Sequence, residues 1–351
     1  MLPILFTYIG ITMNIEIITT PNETLKETGF GDLDSCRSVL NSIQEMGHNG
    51  RLSLCKSLAD LECVLKRKPD LVILAVKYIS IESGENIWLS EYFENHSIAY
   101  SGSSRDMLQF DSDKILAKLH LQGKGISTAA FFTASVDEFQ RDEDLPLKYP
   151  LFLKPSGAAN GNGIDEESFV SSFEEFECKI SSLQASYGQP TLVEEFLTGK
   201  EYTVAMITSK CGELIDSAVE IVPPKSNCDY RILSGTVKSQ NTEVLKKITD
   251  KTIKCEVRKM AFEVFIGLGI EGFARIDIKS NADGKCFFME VNLIPGMTFG
   301  SSYFPEACRI DRGLSYDQIV SHIVEYCLSK KLKAMLPNKL LPVHQEKLLL
   351  T

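Results

Sequence analysis

The chain has 351 residues, 44% of them hydrophobic and 24% charged, which is typical of a soluble globular protein with two or three domains. The net charge of −10 and the pI near 5.2 argue against non-specific binding to nucleic acids or other polyanions. No apolar run approaches the ~18 residues of a membrane span.

The ten cysteines contain no CxxC pair, so neither a zinc site nor a redox motif is favoured. Together with the absence of a recognisable secretion signal, this predicts reduced thiols and a cytoplasmic protein. The five histidines are isolated and have no metal-ligand spacing. The apolar residues 1–13 lack a basic start and a small-residue cleavage site, so we interpret them as a leader ahead of, or merged with, the first strand.

Residues 1–105 are predicted to form a doubly wound α/β domain, because strand and helix patterns alternate there. NIEIITT and DLVILAV are predicted strands, and SCRSVLNSIQEMG and LADLECVLKR are predicted helices. ENIWLSEYFENH is predicted to be a helix, and SIAYSG a short strand. The glycines of TGFGDLD superficially resemble a dinucleotide loop, but they do not follow a strand directly, so a nucleotide role is disfavoured there.

Residues 106–195 and 196–332 are predicted to form two further lobes, followed by a tail at 333–351. The first lobe has the helix SDKILAKLHLQGKGI, the apolar strand YPLFLKP and the small-residue loop SGAANGNGID. TLVEEFL, KEYTVAMIT and GELIDSAVEIV follow in the extended pattern. KKITDKTIKCEVRKMAFEVFIGLG is a predicted long helix, EGFARIDIKS and KCFFMEVN are the arms of a hairpin, and YDQIVSHIVEYCLSKK is the last helix.

The hairpin is the strongest chemical signal. Side chains two apart on a strand share a face, so Arg275 and Asp277 point one way from one arm, and Glu290 and Asn292 one way from the other. With these faces together, the oxygen ligands suit Mg²⁺ bound beside substrate phosphates. The alternative is a solvated face with a surface salt bridge. The opposite, apolar face is predicted to hold Ala274, Ile276, Phe288 and Val291.

Two other stretches could hold a nucleotide. Lys154 ends an apolar strand and precedes a loop without bulky side chains, whose backbone N–H groups could contact phosphates; a flexible surface turn is the alternative. Lys114 could add a second positive charge. TLVEEFLTGKEYTV combines strand residues that could pair with a purine and carboxylates that could bind ribose, or it is an edge strand with solvated glutamates.

These stretches resemble the ATP-grasp fold, most closely the D-alanine–D-alanine ligases. The resemblance covers about Ser101 to Lys330 and depends on Lys-Pro with its Gly loop, EEFLTGKEYTV, GFARIDI and MEVNLIPGMT, in this order. It implies an α/β (α+β) ATP-grasp fold with an N-terminal doubly wound domain. It also implies a homodimer through that first domain, as is frequent in the family.

The resemblance assigns roles position by position. ATP would be bound by Lys114, Lys154, Asn160, Gly161, Gly163, Glu194, Glu195, Phe196, Leu197, Glu201 and Met289, with the lid loop at 160–163. One or two Mg²⁺ ions, for which Mn²⁺ can substitute, would be bound by Asp277, Glu290 and Asn292. The catalytic groups would be the Arg275 side chain and the Gly296 N–H, and the acceptor carboxylate would be held by Ser301 and Ser302.

The implied reaction is ATP-driven joining of a carboxylate to an amine through an acyl phosphate, with no covalent enzyme nucleophile. The chain departs from the family where the first substrate binds: KYISIESGEN replaces a His-Gly-x-x-Gly-Glu-Asp-Gly stretch, and Arg231-Ile232 replaces a Lys-Tyr pair. A ligase for other amino acids, a cyclising ligase and a non-catalytic nucleotide-binding protein are therefore alternatives to D-alanine–D-alanine ligation.

Overall fold

A computed structural model describes residues 12–82, 84–157, 161–188, 190–225 and 230–335. Most of the predicted leader, the tail after residue 335 and the predicted lid residue Asn160 lie outside these residues. Among the described residues, no helix is both long and apolar enough to cross a membrane.

The N-terminal part is built on a three-stranded parallel sheet in the order β2-β1-β3. Its strands are β1 (Asn14–Thr19), β2 (Asn49–Leu54) and β3 (Leu71–Leu74). All four residues of β3 are buried, as expected for a parallel strand covered on both faces. The surrounding elements are α1 (Glu23–Glu27), α2 (Leu33–Glu45), α3 (Leu58–Arg67), β4 (Tyr78–Ser80), β5 (Asn86–Trp88) and α4 (Leu89–Asn95).

Two N-terminal predictions are wrong in part. The predicted helix ENIWLSEYFENH begins as strand β5, because its residues pair with β4 and Trp88 lies opposite Tyr78. The predicted strand SIAYSG forms only a single bridge, between Tyr100 and Val72. Beyond it the Leu74 N–H donates to the Ser101 hydroxyl rather than to a backbone carbonyl, which ends the pairing.

The middle of the chain forms a four-stranded antiparallel sheet in the order β6-β9-β7-β8. This sheet packs against α7 around a core of its own, formed by residues such as Leu153, Phe176 and Val193. Helix α7 was not predicted from the sequence. The elements are α5 (Arg105–Ser112), α6 (Lys114–Gly123), β6 (Phe131–Ala134), β7 (Leu151–Pro155), β8 (Phe169–Val170), α7 (Phe173–Tyr187) and β9 (Thr191–Glu195).

The C-terminal part forms a five-stranded antiparallel sheet in the order β12-β11-β10-β13-β14. It shares one continuous core with the N-terminal sheet, so these two parts form a common base below the four-stranded sheet. The elements are β10 (Glu201–Thr208), β11 (Leu214–Val222), α8 (Gly235–Gln240), β12 (Val244–Lys247), α9 (Lys251–Gly267), β13 (Phe273–Ser280), β14 (Cys286–Asn292), α10 (Tyr303–Arg312) and α11 (Tyr316–Met335).

The predicted long helix starts later than the sequence suggested. Lys246 and Lys247 belong to the edge strand β12, and α9 begins only after Asp250. The Asp250 carboxylate accepts hydrogen bonds from the N–H groups of Thr252 and Ile253 and so caps the helix.

Candidate active site

The hairpin β13–β14 brings the four predicted polar residues together. Arg275 pairs with Asn292, and Asp277 with Glu290. The Arg275 guanidinium donates from Nη2 to Asp277 Oδ2 at 2.8 Å and from Nε to Oδ1 at 3.1 Å, and its Nη2 lies 3.9 Å from Glu290 Oε1. Asp277 is only 5% exposed. The alternative of a fully solvated hairpin face is therefore wrong.

A β-bulge in β14 arranges this surface. The register shifts between Asp277 and Ile278, so that Ile278 pairs with Phe288 and Met289 is the extra residue. Because of the bulge, the consecutive residues Met289 and Glu290 both line the same cleft, while Phe288 is fully buried in the core. Regular alternation would have put Phe288 on the same face as Glu290. The predicted position of Phe288 on the apolar face is therefore confirmed only because the bulge shifts the register.

Positive charge surrounds the Glu290 carboxylate. Burial alone would raise the pKa of Glu290, but Lys114, Lys238 and Arg275 outweigh burial and hold it well below its usual range. The Lys114 Nζ lies 3.7 Å from Glu290 Oε2. Glu290 is therefore ionised at neutral pH and available as an anionic ligand.

A second charged group lies deeper, at the back of the cleft. Glu194 is 1% exposed, and its two oxygens lie 2.5 Å from Lys118 Nζ and 2.7 Å from Lys154 Nζ. Burial would raise the pKa of Glu194, but the two ammonium groups lower it to about 2. The Glu194 side chain, predicted to bind ATP, thus forms these two ion pairs.

The small-residue loop of the central lobe contacts the C-terminal lobe above the cleft. The Gly235 N–H donates to the Ile164 carbonyl at 3.2 Å. A Cβ on Gly235 would lie 2.9 Å from the Gly161 carbonyl oxygen, and Gly161 itself has a φ of +77°. Only glycines allow the two backbones to approach this closely.

The cleft itself lies between the four-stranded and five-stranded sheets. The centre of the Phe196 ring lies 6.1 Å from that of Phe152 and 5.0 Å from that of Tyr230. The Glu201 carboxylate oxygen Oε2 lies 3.7 Å from Lys279 Nζ. The Glu195 carboxylate accepts from the Ala130 N–H at 3.0 Å. The cleft is lined by Phe152, Lys154, Ile164, Glu194, Glu195, Phe196, Leu197, Glu201, Ile232, Leu233, Lys238, Asp277, Lys279, Met289 and Glu290.

A second cavity, of about 370 Å³, adjoins the same face of the hairpin further along its strands. Its wall includes the predicted residues Arg275, Asn292, Gly296, Ser301 and Ser302. The Ser302 hydroxyl accepts from the Thr298 N–H at 2.9 Å, which folds the turn back towards the Gly296 backbone.

The N-terminal part of the chain also lines this second cavity. Its loop Thr28–Gly31 lines the cavity, and the Phe30 backbone connects two parts of the fold. The Phe30 N–H donates to the Ala75 carbonyl at 2.9 Å, and the Phe30 carbonyl accepts from the Met297 N–H at 2.8 Å. The TGFGDLD loop therefore belongs to the site, but to the second cavity and not to the cleft.

The sequence analysis missed several charged or polar residues of the site, among them Lys118, Lys238, Glu243 and Tyr303. Lys118 follows Lys114 by one helical turn, a spacing that could have indicated a common face. Lys238 lines both cavities, and Glu243 and Tyr303 line the second, where Tyr303 donates a hydrogen bond to Glu243. No local pattern marks Lys238 or Glu243, because only the path of α8 brings them to the site.

The arrangement of two antiparallel sheets around a polar cleft is that of the ATP-grasp ligases. The D-alanine–D-alanine ligase of Bacillus anthracis, solved in complex with ATP, superposes with a TM-score of 0.72 over 92% of this chain and 100% of that chain, at 21% identity. This structural likeness establishes the fold.

The family model for the D-ala D-ala ligase C-terminus matches residues 121–325, more than half of the chain. The chain belongs to the D-alanine–D-alanine ligase family and is an ATP-dependent, ADP-forming ligase. It is 29% identical over 252 residues to D-alanine–D-alanine ligase B of Clostridium perfringens, covering 71% of this chain and 79% of that protein. It is 29% identical over 297 residues to the D-alanine–D-alanine ligase of Aquifex aeolicus, covering 83% of this chain and 94% of that protein.

Proposed function

We propose that this ligase joins two amino acids through an acyl phosphate, with D-alanine as the first candidate for both substrates. One observation carries the proposal: two neighbouring cavities border the same face of the hairpin, and the hairpin contributes side chains to both. Asp277 and Glu290 line the cleft, whereas Arg275 and Asn292 line the second cavity. A phosphoryl group in the cleft and an amine in the second cavity would meet at this hairpin.

We assign the cleft to ATP. Phe196, Leu197 and Met289 offer apolar surface to adenine, and Glu201 offers a carboxylate to ribose. Lys114, Lys154 and Lys238 provide positive charge for the phosphates. The loop around Gly161 and Gly163 would cover them, with backbone N–H groups as donors.

We assign Mg²⁺ to Asp277, Glu290 and Asn292. The donor set fits, because two carboxylates and an amide supply hard oxygen ligands. The Asn292 Nδ2 is buried and has no hydrogen-bond partner among the described residues, so the fold itself does not use this amide. The described part of the chain contains no group of three or more His, Cys, Asp or Glu side chains that could hold a metal ion. Mg²⁺ is commonly bound by one or two carboxylates together with water and substrate phosphates.

The residues suggest a two-step reaction. The carboxylate of the first amino acid attacks the γ-phosphate of ATP, so that a C–O–P linkage forms and ADP leaves. The bound metal would neutralise charge on the phosphates during this step. The amine of the second amino acid then attacks the acyl carbon, loses a proton and displaces phosphate. Arg275 and the Gly296 N–H would stabilise the tetrahedral oxyanion, a contact worth about 3 kcal/mol.

D-Alanine is the first candidate because the relatives from C. perfringens and A. aeolicus are named for it. The test is ADP release with ATP, Mg²⁺ and single amino acids or pairs, with products identified by mass spectrometry. We expect ADP release only with substrate, and D-alanyl-D-alanine from D-alanine alone. Turnover with a different pair would support a ligase of other specificity. Nucleotide binding without turnover across the panel would favour the non-catalytic alternative.

We further propose a cytoplasmic location, supported by the free thiols of all nine cysteines that the structure describes. A homodimer through the N-terminal domain remains our expectation for the assembly. Light scattering of the purified chain would give its oligomeric state.

A further inference from the structure

Lys118 is the most completely buried lysine of the site, and it does not line the cleft. Its side chain is 0% exposed, and its Nζ lies 2.5 Å from Glu194 Oε1. It also lies 3.5 Å from the Phe288 carbonyl and 5.7 Å from the centre of the Phe131 ring. An ammonium group buried in this way is costly unless a carboxylate compensates it.

The Glu194 carboxylate is shared. Its other oxygen lies 2.7 Å from Lys154 Nζ. Neither oxygen has a hydrogen-bond partner among the described residues apart from these two ammonium groups. Unlike Lys118, both Glu194 and Lys154 reach the wall of the cleft. The cluster Lys118–Glu194–Lys154 thus has one hidden cation, one carboxylate and one cation at the cleft.

Lys118 determines the net charge of the cluster. Without Lys118, Glu194 would neutralise Lys154 completely, and the cluster would present no net charge to an incoming triphosphate. With Lys118, two positive charges and one negative charge leave a single positive charge, and Lys154 is the member that faces the cleft. Because charges interact more strongly in a weakly polar interior than in water, this difference of one positive charge strongly affects the attraction for a bound anion.

We propose that Lys118 is a positioning residue for ATP: it shares the Glu194 carboxylate with Lys154, so that Lys154 keeps its positive charge towards the phosphates. Lys118 itself touches no substrate. This inference rests on the proposed assignment of the cleft to ATP.

The test is a double-mutant cycle with the full chain, in which calorimetry measures the dissociation constant of a non-hydrolysable ATP analogue with Mg²⁺. Lys118→Met removes the hidden cation, and we expect the dissociation constant to rise about tenfold or more, as for a lost charged hydrogen bond. Adding Glu194→Gln restores the single positive charge. We therefore expect Lys118→Met/Glu194→Gln to bind more tightly than Lys118→Met, although it has lost both members of the ion pair. Glu194→Gln alone completes the cycle and gives the direct effect of the Glu194 side chain, which lines the cleft.

A purely structural role for Lys118 predicts the opposite order, because the double variant removes more native contacts than the single one. Binding by the double variant as weak as that of Lys118→Met, or weaker, would overturn the proposal. If Lys118→Met does not fold, the double variant is compared with Glu194→Gln, which already lacks the ion pair. Weaker binding by the double variant then supports the charge argument, because one positive charge has been removed, and equal binding rejects it.

Lys254→Met is the matched control. Lys254 forms an ion pair with the buried Asp311, away from the residues that line the cleft. We expect this variant to lose stability and to keep the nucleotide dissociation constant within about twofold. If the wild type binds no nucleotide, the assignment of the cleft to ATP fails; if the wild type binds and the cycle shows no restoration, only the role of Lys118 fails.

Discussion

The hydroxyl of Thr203 donates a 2.7 Å hydrogen bond to Oδ1 of Asp277. Thr203 is fully buried in β10 and pairs with Asp277 across the sheet, so the orientation of the carboxylate is fixed from behind by a neighbouring strand. The Arg275 guanidinium holds the same carboxylate from the side. A proposed metal ligand is therefore held in place before any metal binds.

Thr203→Val should weaken the metal site. The substitution keeps the shape of the side chain but removes the donor, and groups that orient metal ligands typically contribute about 10–100-fold in metal affinity or activity. We expect the Mg²⁺ concentration for half-maximal ADP release to rise about tenfold. Thr203→Ser, which keeps the hydroxyl, is the control, and equal behaviour of the two variants would refute the role of the hydrogen bond.

Arg275→Lys should reduce turnover far more than nucleotide binding. A lysine keeps the positive charge but cannot donate two parallel hydrogen bonds to Asp277, so its ammonium group would not occupy the same position. We expect kcat to fall by about 10²–10³-fold, as for other lost oxyanion donors. Steady-state kinetics would give kcat and the KM for ATP separately. A rise in KM for ATP at unchanged kcat would contradict the role in the second step.

Glu194 should make stability depend on pH in acid. Its pKa in the folded chain is about 2, below the ordinary value of 4.5. The resulting stabilisation is fully present above pH 4.5 and is lost as the pH falls towards 2, because protonation then costs the two ion pairs. Urea denaturation of the wild type over this range should show the decline.

Glu194→Gln should be less stable at pH 7 by about 3–5 kcal/mol, because it leaves two buried ammonium groups without a carboxylate. It should also lack the Glu194 part of the acid decline, so the stability difference from the wild type narrows below pH 4.5. A constant difference across the pH range would show that the ion pairs do not carry this stability.

Gly235→Ala should impair closure over the cleft without destabilising the fold. The new Cβ would lie 2.9 Å from the Gly161 carbonyl oxygen, so the two backbones must separate. We expect the KM for ATP to rise at least about threefold, because the loop at Gly161 can no longer pack closely against Gly235. Gly123→Ala is the control: it lies in α6, a Cβ there meets nothing within 4 Å, and alanine favours helix. An equal effect of both substitutions would rule out the contact.

The sequence predicted which polar side chains of the hairpin lie together, since the two-residue period of a strand is enough to bring Arg275, Asp277, Glu290 and Asn292 to one surface. It could not predict the bulge at Met289, because a register shift depends on how the partner strand packs and leaves no periodic signal. It also missed β12, whose residues Val244, Lys246 and Lys247 are exposed and show no apolar alternation.

Burial was harder to predict than secondary structure. The sequence of α6 does not indicate that its lysines are buried, yet Lys114 and Lys118 both are. Glu290 lies beside Lys114, and Glu194, 76 positions beyond Lys118 in the chain, lies beside Lys118; these carboxylates compensate the buried positive charges. Lys238 likewise arrives through tertiary contacts of α8 with the loop around Gly161. Such long-range compensation of charge has no local pattern.

The extra residue in β14 also sets a condition for protein engineering. Transplanting only the four polar side chains onto a uniform two-stranded ribbon would turn Phe288 outwards into water and remove Met289 from the wall beside Glu290. A scaffold that is to inherit this chemistry therefore has to copy the irregular pairing along with the functional groups.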